Sequence, residues 1–360
     1  MSQKTLIIAE AGVNHNGNEQ LALELVREAH RAGADVVKFQ TFKAKNIVTC
    51  EAAQASYQST NIGLVESQLT MLERLELSYE SHHALVAECK NLGIEFLSTA
   101  FDMQSLRFLI DDLKLTRLKI PSGEITNLPL VLKHAQSGCD LIVSTGMATL
   151  GEIEAALAVI AYGYIFPDKH APSEGDFELA YSSPQGQALL QSKITLLHCT
   201  TEYPAPLDEI NLSAMASMEK AFSLPTGYSD HSEGWLVSIA AVACGAKIIE
   251  KHFTLDQTMT GPDHKASLNP AQLSEMINLI RQTEQAMGSK IKAPTKSEVA
   301  NKVAARKSLV AAIDISPGTV FSEQNIDIKR PGNGMSPSLY WKVIGCNASR
   351  HYKAGQLINE

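Results

Sequence analysis

Closely spaced cysteines are missing from this chain. Its six cysteines, at positions 50, 89, 139, 199, 244 and 346, never reach CxxC spacing. That excludes a zinc knuckle or a thioredoxin-like motif and leaves reduced, mostly buried thiols. Long apolar runs are missing too. The longest near the start, Leu6 to Ala9, is stopped by Glu10, so neither a secretory core nor a membrane span is expected and the chain reads as cytoplasmic, with no membrane partner. Positive charge is not in excess: the formal net charge of −8 argues against a nucleic-acid partner, while leaving room for a local basic pocket. A nucleotide loop is also lacking. Gly146 to Glu152 has Walker glycine spacing but carries Glu152 where lysine is needed.

What remains is ordinary globular composition, 44% hydrophobic and 19% charged over 360 residues, enough for one large domain and a small one. Apolar runs of strand length alternate with helical stretches. Strands are expected at Thr5–Glu10, Asp35–Gln40, Ile94–Thr99, Arg117–Ile120, Asp140–Ser144, Ile194–Cys199, Pro225–Asp230 and Lys247–His252. Between the first two, Asn18–Ala32 puts Leu21, Ala22, Leu25, Val26 and Ala29 on one helical face and stops at Gly33, a good C-cap residue. Eight such units over about 285 residues predict a TIM (β/α)8 barrel rather than an open doubly wound sheet.

Every proposed strand ends in polar residues, and in a barrel these converge on one face, where catalytic groups belong. A single polar strand end is explained equally well by the loop that follows it. Two of these ends carry histidine. Gly227-Tyr228-Ser229-Asp230-His231 closes one strand and Glu250-Lys251-His252 the next, with an apolar helix over Trp235–Ala243 between them. A right-handed crossover brings both imidazoles to the same edge, where together they can grip a divalent ion. Lys38 and Lys119 lie in or at the end of strands, and a buried lysine needs an anion. With Thr99, Ser122 and Ser144 they outline a cationic, hydroxyl-lined cup for a phosphate and a carboxylate. Glu10, Glu124 and Asp263 supply carboxylates for proton transfer or for holding hydroxyls.

Two stretches exceed a minimal barrel unit. Cys50–Gln68 is polar and placed to cover the barrel mouth, and Ala161–Ser192 reads as a loop with one helix, to which no chemistry is assigned. The barrel domain is expected to span 1–288, followed by a linker over 289–302 and a small β-rich domain over 303–360. Short strands are expected there at Ser308–Ile313 and Thr319–Phe321, and Arg330-Pro331-Gly332-Asn333-Gly334 reads as a rigid turn carrying a long cation.

Taken in order, Ala9-Glu10-Ala11-Gly12-Val13-Asn14-His15-Asn16-Gly17, Val37-Lys38-Phe39-Gln40-Thr41, Lys119-Ile120-Pro121-Ser122-Gly123-Glu124, Ser144-Thr145-Gly146-Met147, Glu202-Tyr203-Pro204, Ser229-Asp230-His231, Glu250-Lys251-His252, Gly261-Pro262-Asp263-His264 and Lys329-Arg330-Pro331-Gly332-Asn333-Gly334 resemble the bacterial sialic acid (nonulosonate) synthases. The tail resembles that family's antifreeze-like (SAF) domain. The resemblance implies condensation of phosphoenolpyruvate with the open-chain aldehyde of an N-acylated hexosamine, giving a nine-carbon 2-keto acid and phosphate. It implies Mn2+ or Mg2+ on His231 and His252, phosphoenolpyruvate on Lys38, Thr99, Lys119, Ser122, Ser144 and Ser229, and proton handling by Glu10 and Glu124. The sugar would meet Gln40, Tyr203 and Asp263, with Arg330 reaching its N-acetyl group from the partner of a domain-swapped homodimer.

The chain departs from the family pattern at one of the positions held by Thr200 and Thr201, where some members have Asn, at Ala100, where Pro is common, and in the 161–192 insertion. The Gly261–Ser267 stretch resembles the neuraminate and legionaminate branches rather than the pseudaminate branch, and the opening motif leans toward legionaminate. Two rival readings are a metal-dependent barrel hydrolase, which would normally add a third or fourth protein ligand and has no need of paired buried lysines, and an inert barrel bearing an ice- or glycan-binding tail.

Overall fold

The computed structural model describes residues 4–169 and 172–359. They fall into two compact units, divided between Gly288 and Ser289. In the first, eight parallel strands close a barrel in sequence order: β1 (Leu6–Gly12), β2 (Val36–Thr41), β3 (Glu95–Ala100), β4 (Arg117–Ile120), β5 (Asp140–Ser144), β6 (Ile194–His198), β7 (Thr226–Asp230) and β8 (Ile248–His252). β1 pairs with both β2 and β8, which closes the ring. All eight expected strands are present, within two residues of their expected ends.

The helix Glu19–Ala32 shows how the outer layer is built. Asn18 caps it by accepting from the N–H groups of Gln20 and Leu21, Gly33 ends it in the left-handed region at φ 88°, and Ala22, Leu25, Val26, Ala29 and Ala32 are its buried face. Burying Leu25 and Val26 contributes about 2 kcal/mol each against the strands beneath.

Inside the barrel, side chains form layers. Ile8, Val36, Leu97, Ile142, Leu197 and Ile248 make an apolar plug. Strand side chains alternate, so the next inward residue lies two positions on. In five of these strands that residue is Glu10, Lys38, Thr99, Ser144 and Glu250, and in β6 it is Cys199 just past the strand end. A step of two residues therefore converts core into site.

The 161–192 stretch differs from the expected single helix. The preceding helix, Leu150–Ile165, extends into it, and two further helices, Glu174–Ser182 and Pro184–Lys193, pack Ala180 and Leu190 into the core. Both new helices start at serine N-caps, Ser173 and Ser183, so the local signal was present. Cys50–Gln68 is likewise not bare loop, since Ser56–Ile62 is helical.

The second unit begins with a helix, Lys296–Ala305, where a linker was expected. Thr295 and Glu298 form its capping box, the signature of a deliberate helix start. Its sheet is the antiparallel pair β9 (Ser308–Ala311) and β10 (Ile326–Lys329). The strand expected at Thr319–Phe321 is instead a single bridge, Val320 to Asn347, with Phe321 buried in the core beside Leu309, Ile326 and Tyr352. Among the described residues no helix is long and apolar enough to cross a membrane.

Candidate active site

The barrel mouth holds a cavity of about 160 Å³. Of the site residues read from the sequence, all but Glu124, Asp263 and Arg330 line it. Its floor is charged. Lys38 Nζ lies 3.0 Å from Glu10 Oε1 and 2.9 Å from Glu250 Oε2, and Lys119 Nζ donates to Glu250 Oε1 at 2.7 Å. All four side chains are at most 5% exposed, so this is a buried two-cation, two-anion cluster.

Each charge is set by its neighbours. Burial opposes ionisation of Glu250, but Lys119 and Lys38 outweigh it and hold the carboxyl far below its usual range. Burial likewise works against the charge of Lys38, and Glu10 with Glu250 overcomes it, so its pKa rises. Lys119 is pulled down by burial and, against the attraction of Glu250, by Lys38 as a like charge. Glu10 is lowered despite burial, through His252 and Lys38.

Above the cluster stand hydroxyls. Ser229 Oγ donates to Glu250 Oε1 at 2.8 Å, while Thr99 Oγ1, Ser144 Oγ and Thr201 Oγ1 are buried with no hydrogen-bond partner in the protein. Orphaned buried hydroxyls are rare and call for a ligand. Backbone geometry packs this rim closely. The Gly146 N–H donates to Ser122 Oγ at 3.0 Å, and a Cβ at Gly146 would come within 2.4 Å of Thr201 Oγ1 and 2.8 Å of Ser122 Oγ. Only glycine leaves the cup its shape.

The two imidazoles sit at the rim, ring centroids 5.7 Å apart. His231 Nδ1 donates to the Thr200 carbonyl oxygen at 2.6 Å, which leaves Nε2 as the unprotonated nitrogen, facing the hydroxyls of Tyr203 and Ser229. Burial and His252 push the His231 pKa down to about 4, so the ring is a neutral donor at pH 7. His252 Nε2 is 3.4 Å from Glu10 Oε2, and its Nδ1 has no hydrogen-bond partner, the nearest acid being Asp263 Oδ2 at 4.0 Å. Burial raises the Asp263 pKa above the ordinary value, so this acid holds its proton more tightly than usual. Among the described residues no three His, Cys, Asp or Glu side chains are grouped to hold a metal. The chain offers an open pair, the arrangement that leaves coordination positions for water and substrate.

Tyr203 closes the rim, its hydroxyl 3.1 Å from His231 Nε2 and its ring 5.1 Å from that of Tyr57. Asn61 Nδ2 donates to the Pro262 carbonyl at 2.7 Å, so the 50–68 segment is tied to the loop that carries Asp263. Glu124 is placed differently: its carboxylate accepts from Asn127 Nδ2 at 2.7 Å, outside the lining. Arg330 is exposed in the second unit, where its Nε donates to the Ala305 carbonyl at 3.1 Å. Sequence reasoning did not assign Glu250, Thr201, Phe101, Pro121 or Gly123 to the site. Glu250 was legible: it lies two residues before His252 and so on the same face of the strand.

A closed barrel whose C-terminal mouth joins an oxyanion cup to an open imidazole pair defines a TIM-barrel enzyme acting on a small anionic substrate. The chain belongs to the NeuB family, which residues 25–292 match, and residues 306–360 match the SAF domain. It is 49% identical over 358 residues to an N,N'-diacetyllegionaminic acid synthase of Campylobacter jejuni, covering 99% of this chain and 100% of that one. A synthase of the same name from Legionella pneumophila is 42% identical, over 98% of this chain and 93% of that one. Among solved structures, the N-acetylneuraminic acid (sialic acid) synthetase of Leptospira borgpetersenii in complex with citrate superposes with a TM-score of 0.67 at 30% identity, covering 83% of this chain and 90% of that one. The inert-barrel and hydrolase readings give way to the synthase.

Proposed function

We propose that this enzyme condenses phosphoenolpyruvate with the open-chain aldehyde of 2,4-diacetamido-2,4,6-trideoxymannose, giving N,N'-diacetyllegionaminate and inorganic phosphate. The observation that carries the donor half is the cup, in which two buried lysines and three unpartnered hydroxyls converge. For the acceptor, support comes from whole-length likeness, since both legionaminate relatives exceed the 30% identity of the sialic acid synthetase.

In this reading Lys38 and Lys119 hold the phosphate and carboxylate, while Thr99, Ser122, Ser144 and Ser229 fix their orientation with charge-assisted hydrogen bonds. His231 and His252 would hold Mn2+ or Mg2+, which when bound polarises the aldehyde oxygen. C3 of phosphoenolpyruvate attacks the aldehyde carbon, water adds at C2, and the tetrahedral centre expels phosphate by C–O cleavage. Glu10, kept ionised between Lys38 and His252, accepts the proton of the adding water. Glu124 is the lesser candidate, because its carboxylate is engaged with Asn127. Gln40, Tyr203 and Asp263 hold the sugar, and Arg330 from a domain-swapped partner subunit meets its N-acetyl group. Dependence on phosphoenolpyruvate, a product of central metabolism, supports a cytoplasmic site for the reaction.

A competition assay tests the acceptor. With equal N-acetylmannosamine and diacetamido sugar, mass spectrometry should find the legionaminate product in excess. Excess neuraminate would reassign the branch.

A further inference from the structure

The outer face of β7 and β8 carries a charged pair that the cup does not use. Asp230 and Lys251 are register partners on these strands, and both are 0% exposed. Lys251 Nζ lies 3.3 Å from Asp230 Oδ1 and donates to the Ser232 carbonyl oxygen at 2.5 Å. Asp230 Oδ1 accepts from the Ser232 backbone N–H at 2.9 Å and from its hydroxyl at 2.6 Å. Its Oδ2 accepts from Ser238 Oγ, on the helix Leu236–Ala243, at 2.6 Å.

Each member immediately precedes one imidazole: Asp230 comes before His231 and Lys251 before His252. Successive strand side chains face opposite sides, so the pair points into the helix layer while the imidazoles point into the cavity. The network also holds Ser232, the residue after His231. His231 is thus fixed from both sides, and Lys251 fastens the end of β8 to the same loop.

Stability alone does not explain the pair. Taking two charges out of water costs about what their attraction returns, and apolar side chains of similar volume commonly serve a core as well or better. A directional network does what apolar packing cannot, which is to fix the relative height and aim of two strand ends. We propose that Asp230 and Lys251 are positioning residues that set the separation of His231 and His252. The inference rests on the reading that these imidazoles hold a divalent cation.

The test is Mn2+ titration of the substrate-free full chain, followed by loss of the free-ion EPR signal. The double variant Asp230→Asn/Lys251→Met removes both charges without leaving either one unpaired. It is expected to unfold near the wild-type midpoint while its Mn2+ dissociation constant rises by about 10- to 100-fold, the usual cost of losing support behind a metal ligand. A folded double variant with wild-type Mn2+ affinity overturns the proposal. If the double variant does not fold, Ser238→Ala is read in the same titration. It frees Asp230 Oδ2 alone, and weakened Mn2+ uptake supports the proposal while unchanged uptake overturns it. Wild-type protein that takes up no Mn2+, or whose uptake survives His231→Ala, overturns the metal reading and this inference with it.

Discussion

Lys119 and Glu250 meet across the full width of the barrel, with Nζ 2.7 Å from Oε1 although β4 and β8 stand on opposite sides of the ring. The contact is possible because both side chains are long and reach inward from their strands. It makes Glu250 the counter-ion shared by both lysines, with Lys38 on its second oxygen at 2.9 Å, while Glu10 pairs with Lys38 alone.

Glu250→Gln is therefore expected to leave Lys119 buried against a neutral amide, with Lys38 held by Glu10 alone. Breaking a buried pair from one side costs about 3–5 kcal/mol. Urea unfolding in phosphate-free buffer should show a loss of that size, and added phosphoenolpyruvate should recover more stability in the variant than in the wild type. A loss below about 1 kcal/mol would remove Glu250 from this role.

Subunit exchange tests the domain swap. Arg330→Ala and Lys119→Ala are each expected to be inactive alone. If Arg330 serves the partner's site, mixing them should regenerate one intact site per heterodimer and so restore part of the activity. Heterodimers demonstrated by mass but lacking turnover would count against the swap.

Buried neutral histidines set the acid limit of the barrel. His134 is 0% exposed, and burial pushes it from 6.5 down to about 4. His15 and His264 are displaced the same way, to about 3 and about 4. Between pH 6.5 and 4 the unfolded chain binds protons that the folded chain refuses, so stability is full above about 6.5 and falls as pH falls through that window. His134→Leu should remove up to about 3 kcal/mol of that pH dependence. Urea midpoints measured from pH 7 to 4 would read it as a shallower slope; an unchanged slope would mean that His134 is protonated when folded.

The barrel was legible because each strand is a short apolar run followed by a polar residue at its carboxyl end, and the intervening helices end in ordinary caps. Glu250 was overlooked because attention to strand ends passes over a carboxylate two residues earlier, where only the period of two reveals it. Glu124 differs from the other candidates in its surroundings: it belongs to a polar run after β4, and a short 3₁₀ turn over Ser122–Glu124 carries its carboxylate to Asn127. In the tail, β10 was missed because Ile326-Asp327-Ile328-Lys329 mixes charge with apolar residues, as a half-exposed strand does. For Asp230 and Lys251 the period of two gives the outer face, but not their pairing, which depends on the register between β7 and β8.

Phosphate release from phosphoenolpyruvate, measured with Mn2+ and with each acceptor sugar separately, tests the central claim most directly. Release is expected only when a sugar is present, fastest with the diacetamido sugar, and absent in His231→Ala or after chelation. Release without any sugar, or none with either sugar, would contradict the condensation.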